Sequence, residues 1–99
     1  MDRNDSPQGP EANPPTGLPA VGRALWHLRA GNWRKAHEIV QDDPGPAAAW
    51  IHAHLHRQEG DEANAAYWYR RAGQPVCREP LEAEWRALAG ELAPSLLKP

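Results

Sequence analysis

The chain has 99 residues and a formal charge of −2 from 11 basic and 13 acidic side chains, a balance that excludes any general attraction to nucleic acid or anionic lipid. Its lone cysteine, Cys77, excludes an intrachain disulfide and fits a reducing compartment. No apolar run approaches the roughly 20 residues of a membrane span, so the expected location is cytoplasmic, with no membrane partner.

Residues 1–19 hold five prolines and two glycines, and their only apolar side chains besides proline are Met1, Ala12 and Leu18. Such a stretch cannot bury enough surface to offset its ordering entropy, which predicts a disordered tail before a single domain over 20–99. A core of that size is marginal and must rest on a few large side chains. Phe is absent and five Trp are present, so Trp is the main large packing unit.

Five helices are predicted, and the fold class is all-α. The first runs from about Pro19 to Ala30, with Val21, Leu25 and Leu28 at helical spacing. Gly31-Asn32 breaks it. The second, capped by Asn32, runs to about Asp42 with Trp33, Ala36 and Val40 on one face, and Asp42-Asp43-Pro44-Gly45-Pro46 ends it. The third runs from about Pro46 to Glu59 on the stripe Ala48, Ile51, Leu55. Gly60 ends it, and Asp61 caps a fourth that reaches about Ala72 with Ala65, Trp68 and Tyr69 inward. The fifth spans about Pro80–Ala93 on Leu81, Trp85, Leu88 and Leu92, with Glu79, Glu82 and Glu84 in or near its first turn, where they favour the macrodipole.

The two hairpin glycines, Gly31 and Gly60, are 29 positions apart, and the match extends beyond them. Ala24 aligns with Ala53, His27 with His56 and Ala36 with Ala65, while Asn32 and Asp61 are both capping types. A period in this range signals a helical solenoid. The pattern of small residue, Gly-Asp or Gly-Asn turn, then Ala, bulky residue and Ala resembles tetratricopeptide-type repeats, including Sel1-like variants, over roughly residues 20–73. In the second hairpin it falls on Ala53, Gly60-Asp61, Ala65, Tyr69 and Ala72. In the first it falls on Ala24, Gly31-Asn32, Ala36 and Val40, with Asp43 where the last Ala belongs. The spacing is shorter than the usual repeat of about 34. The stretch His56–Gly73 is also similar to a set of short, uncharacterised bacterial proteins, a likeness that carries no function. The resemblance implies two hairpins stacked as a short solenoid, closed by a capping helix over 80–93.

It also implies a function. First-helix positions of such arrays line a concave groove that holds peptides, and here those positions are Trp50, His54 and Arg57, at i, i+4 and i+7. An aromatic ring, an imidazole and a guanidinium together suit an acidic or carboxylate-bearing peptide. The expected function is therefore a small protein–protein interaction module, without enzymatic activity and without a cofactor. The alternative use of this face is that Trp50 packs beneath the fifth helix, and the sequence leaves the two open. The corresponding first-hairpin positions, Val21, Leu25 and Leu28, are apolar and suit another helix or a second copy of the chain, which raises a homodimer.

Three other patterns carry chemistry. His52 and His56, at i and i+4, share a helix face at a spacing that can hold a metal ion, giving a metal-binding or metal-dependent enzyme as the alternative function. The general-base Glu of the helical zinc motif is missing from the residues between them. His27 and His56 each precede a loop glycine by four residues, which suggests a repeated hydrogen bond across the turn. Tyr67-Trp68-Tyr69-Arg70-Arg71 interleaves aromatic and basic residues, but on a helix Tyr67 and Arg71 face outward while Trp68 and Tyr69 face inward, so no nucleic-acid partner is expected.

Overall fold

The computed structural model describes residues 13–98. Among them the chain is all-helical: α1 (Ala20–Arg29), α2 (Trp33–Val40), α3 (Pro46–Gln58), α4 (Glu62–Ala72) and α5 (Leu81–Leu92), followed by one 3₁₀ turn at Pro94–Leu97. Most of the predicted tail, residues 1–12, lies outside the described residues. Residues 13–19 carry no helix, and the Arg23 guanidinium donates to the Leu18 carbonyl at 3.1 Å. No described helix is long and apolar enough to cross a membrane.

The two hairpins turn in the same way. Gly31 and Gly60 adopt φ of +87° and +81°, where a Cβ is strained. In the first turn the Gly31 N–H donates to Leu28 O at 3.1 Å and the Asn32 N–H to His27 O at 2.8 Å. In the second, Gly60 donates to Arg57 O at 3.0 Å and Asp61 to His56 O at 3.0 Å. These pairs of bonds are Schellman motifs, which satisfy carbonyls the helix end would otherwise leave free. The next helix is capped at once: Asn32 Oδ1 accepts from Lys35 N at 3.1 Å, and Asp61 Oδ1 from Asn64 N at 3.3 Å. The repeated hydrogen bond across the turn is present at both positions, and it is made by the main-chain carbonyls of His27 and His56, which any residue would supply. Their rings do different things: His27 meets Trp26 edge-on, and His56 Nδ1 bonds the Glu59 carboxylate at 3.0 Å.

α5 packs against both α1 and α3, the first helices of the two hairpins. The core that results joins Leu25 and Leu28 of α1, Ile51 and Leu55 of α3, and Trp85 and Leu88 of α5. The apolar face of α1 that suggested a second copy is therefore filled within the chain. Trp85 is pinned as well as packed, since its Nε1 donates to Leu25 O at 3.0 Å and the Arg29 guanidinium lies 4.2 Å above its ring. Gly22 permits a close approach near the end of α5, where a Cβ would stand 3.2 Å from the Ala93 Cβ. A smaller cluster of Ala53, Ala65 and Tyr69 joins α3 to α4.

Candidate functional site

The structure brings Trp50, His54 and Arg57 together, and gathers them on a carboxylate of the same chain. Their spacing places all three on the side of α3 that faces α5, and from α5 comes Glu84, only 2% exposed. Glu84 Oε1 accepts from His54 Nδ1 at 2.8 Å and from Arg57 Nη1 at 2.7 Å. Its Oε2 accepts from Trp50 Nε1 at 3.1 Å and from the Tyr69 hydroxyl of α4 at 2.5 Å. Arg57 also reaches the Glu79 carbonyl through Nη2 at 2.6 Å. The carboxylate these three side chains meet is internal, and α5 covers this face, which is the packing alternative that the sequence left open beside a groove.

The electrostatics follow from this ring of donors. Burial alone would push the Glu84 carboxyl up, but hydrogen bonds from His54, Tyr69 and Arg57 outweigh it and hold the group down at about 2. Burial, reinforced by the neighbouring Glu84 charge, raises the Tyr69 hydroxyl well above its ordinary value. Burial works against the Arg57 charge, yet the bond to Glu84 prevails and raises the guanidinium. Both carboxylate oxygens carry two donors each, and the buried ion pair is satisfied by hydrogen bonds as such pairs must be.

The outer edges of the same residues reach the surface. Trp50 borders a groove of about 460 Å³ beside Pro75, Val76, Arg78 and Ala83. Arg57 borders another of about 510 Å³, beside Ala65, Ala66, Val76 and Leu81. The α4–α5 connection runs between them, with half-buried Cys77 lining both. Val76 is 44% exposed and Leu81 38%, a high exposure for large apolar side chains. His54, fully buried, borders only a smaller hollow of about 180 Å³ among these three cavities.

A second constellation lies between α2, α3 and α4. The pair His52 and His56 is joined by His37 of α2, so that one ring nitrogen from each of the three lies within 4.8 Å of the others. His37 Nε2 and His52 Nε2 are 3.1 Å apart. Trp33 stacks on His37 at 4.9 Å, and Trp68 stacks on His52 at 3.9 Å. Burial, then the neighbouring His37 and His56, lowers the His52 imidazole to about 4, so its neutral form prevails. His52 Nδ1 is buried without a hydrogen-bond partner. Three imidazoles gathered in this way can coordinate a late transition-metal ion.

Two members of these sites escaped the sequence reading. Glu84 falls three residues after Leu81 and four before Leu88, inside the apolar arc of α5, and a carboxylate on that face is a signal in itself. His37 sits on α2, and only the packing of α2 on α3 brings it to the pair. In α4 the reading of faces agrees with the structure: Tyr69 is buried, Tyr67 is exposed, and Arg71 Nη1 donates to the Tyr67 hydroxyl at 3.2 Å. Among protein-family models, curated proteins and solved structures, no match to this chain is found.

Proposed function

We propose that the protein is a small interaction module, built from two divergent tetratricopeptide-like hairpins, that takes an acidic peptide segment with apolar side chains. The observation that carries this reading is the pair of grooves flanking the α4–α5 connection, with exposed Val76 and Leu81 beside Arg78, which lines both; Arg57 is paired with Glu84 behind them, and Glu62 and Glu79 each line one groove. Exposed apolar side chains beside a groove with a charged rim are what a recognition surface requires. The matching Schellman turns and caps support the repeat reading of the hairpins. Trp50 and Arg57 keep a place in this site as the inner walls of the two grooves, while His54 serves the fold beneath them.

The test uses surface positions outside the Glu84 ring. Peptides selected from a random library on the intact protein should be enriched in acidic and apolar residues. Binding measured by fluorescence anisotropy should weaken more than about tenfold, or 1.4 kcal/mol, in Leu81→Asp and in Arg78→Glu, with thermal unfolding of both variants unchanged. Selected peptides that bind both variants as well as the parent would remove the grooves as the site. Selection that enriches no peptide would remove the reading.

A further inference from the structure

The histidine cluster is not used by the grooves, and its geometry asks for an explanation of its own. His37 and His52 present Nε2 atoms to each other at 3.1 Å. In that contact one ring nitrogen donates to the other, and a cation in place of the shared proton has both nitrogens as ligands. In a tetrahedral site with metal–nitrogen bonds of about 2.0–2.1 Å, neighbouring ligand nitrogens stand about 3.4 Å apart. The first pair, at 3.1 Å, is within about 0.3 Å of that separation, and a ring nitrogen of His56 lies within 4.8 Å of one from each of the other two.

The surroundings orient these rings as a metal site needs. His56 Nδ1 donates to the Glu59 carboxylate at 3.0 Å, which leaves Nε2 as the nitrogen with the free lone pair. A carboxylate behind a ligating histidine is the usual second partner in metal sites, fixing tautomer and raising basicity. His37 is held by the Trp33 ring, itself anchored by Nε1 donating to Leu55 O at 3.0 Å. His52 is held by Trp68. With Nε2 as its ligating atom, His52 keeps a buried Nδ1 without a hydrogen-bond partner, as His54 keeps Nε2.

We propose that His37, His52 and His56 form a site for one late first-row divalent cation, with Glu59 as the residue that positions His56. An all-imidazole donor set selects Zn²⁺, Ni²⁺, Cu²⁺ or Co²⁺ over Mg²⁺ and Ca²⁺, which require oxygen ligands. Three protein ligands leave one position for water or an exogenous ligand.

The experiment uses the full chain without an affinity tag, stripped with a chelator and titrated with ZnCl₂, CoCl₂ or MgCl₂. Calorimetry should give one equivalent of Zn²⁺, and Co²⁺ should develop visible ligand-field absorption, while Mg²⁺ gives neither. His37→Gln, at a half-buried position, should weaken Zn²⁺ binding by at least a hundredfold and abolish the Co²⁺ spectrum. Glu59→Gln should weaken binding by about 10- to 100-fold while keeping one equivalent and the Co²⁺ bands. His27→Gln, outside the cluster, should bind as the parent does. His52→Gln should match His37→Gln if it folds by circular dichroism; if it does not fold, the His37 variant alone decides. Absence of Zn²⁺ or Co²⁺ uptake by the parent at 100-micromolar metal, on the order of the weakest binding such a site should show, overturns the proposal. Uptake that survives His37→Gln unchanged overturns it as well.

Discussion

Replacing Glu84 by Gln is the sharpest test of how this molecule is held together. The substitution keeps the size of the side chain and removes the charge. Trp50 and Tyr69 donate to one carboxylate oxygen, and His54 and Arg57 to the other. An amide has a single oxygen, so in either orientation two donors face an NH₂ group that cannot accept. The Arg57 side chain, 18% exposed, also loses its counter-ion. Breaking a buried ion pair on one side costs about 3–5 kcal/mol. In a domain of this size each kcal/mol moves the melting temperature by about 4–8 °C, so Tm should fall by at least about 12 °C. Thermal unfolding followed by circular dichroism measures it. A double-mutant cycle adds the mechanism: Arg57→Met removes the stranded cation, so the double variant should lose at least about 1 kcal/mol less than the sum of the single losses. A fall of less than about 3 °C, corresponding to under 1 kcal/mol, or strict additivity in the cycle, would refute the assignment of Glu84 as the centre of the fold.

Three further outcomes follow from the same structure. Because Glu84 is held at about 2 against an ordinary 4.5, its folded value is depressed, and its contribution of about 3 kcal/mol is complete above the ordinary value and lost as the pH falls through about 2; the urea midpoint should drop over pH 5 to 2, and less steeply in Glu84→Gln. Gly60→Ala meets no atom within 4 Å but must keep φ near +81°, and should lose about 1 kcal/mol in urea denaturation. Gly90→Ala, exposed in α5 with only Leu97 Cδ1 at 3.7 Å, should instead gain about 0.5–1 kcal/mol; a loss there would contradict the ordinary van der Waals contact in the structure.

The helices are legible in the sequence because each is bounded by its own chemistry. Pro46 opens α3, Gly31 and Gly60 close α1 and α3, and Asn32 and Asp61 cap the helices that follow. These are local signals, fixed within about five residues, and they placed the helix boundaries to within a residue or two. The ring around Glu84 is a different kind of feature. The stripe Trp50, His54, Arg57 shows that a carboxylate is wanted, but not that it comes from 27 to 34 residues further along the chain. Nor does local pattern reveal that His37 joins the other two histidines, since that depends on how α2 lies against α3. Helical period reports which residues share a face and is silent about what the face meets.

That long reach has a consequence for how the chain is made. Glu84 lies 34 positions beyond Trp50, and Trp85 lies 60 beyond Leu25. A nascent chain therefore emerges with both hairpins able to turn and cap themselves while their shared inner face still lacks its acceptor. Trp50, His54, Arg57 and Tyr69 then form an anion-seeking hole that stays hydrated until α5 arrives. The separation of these contacts predicts that folding along the ribosome divides in two, with local helices first and closure last. Chains arrested before Glu84 should be cleaved readily by added protease, and chains arrested with α5 clear of the exit tunnel should resist it.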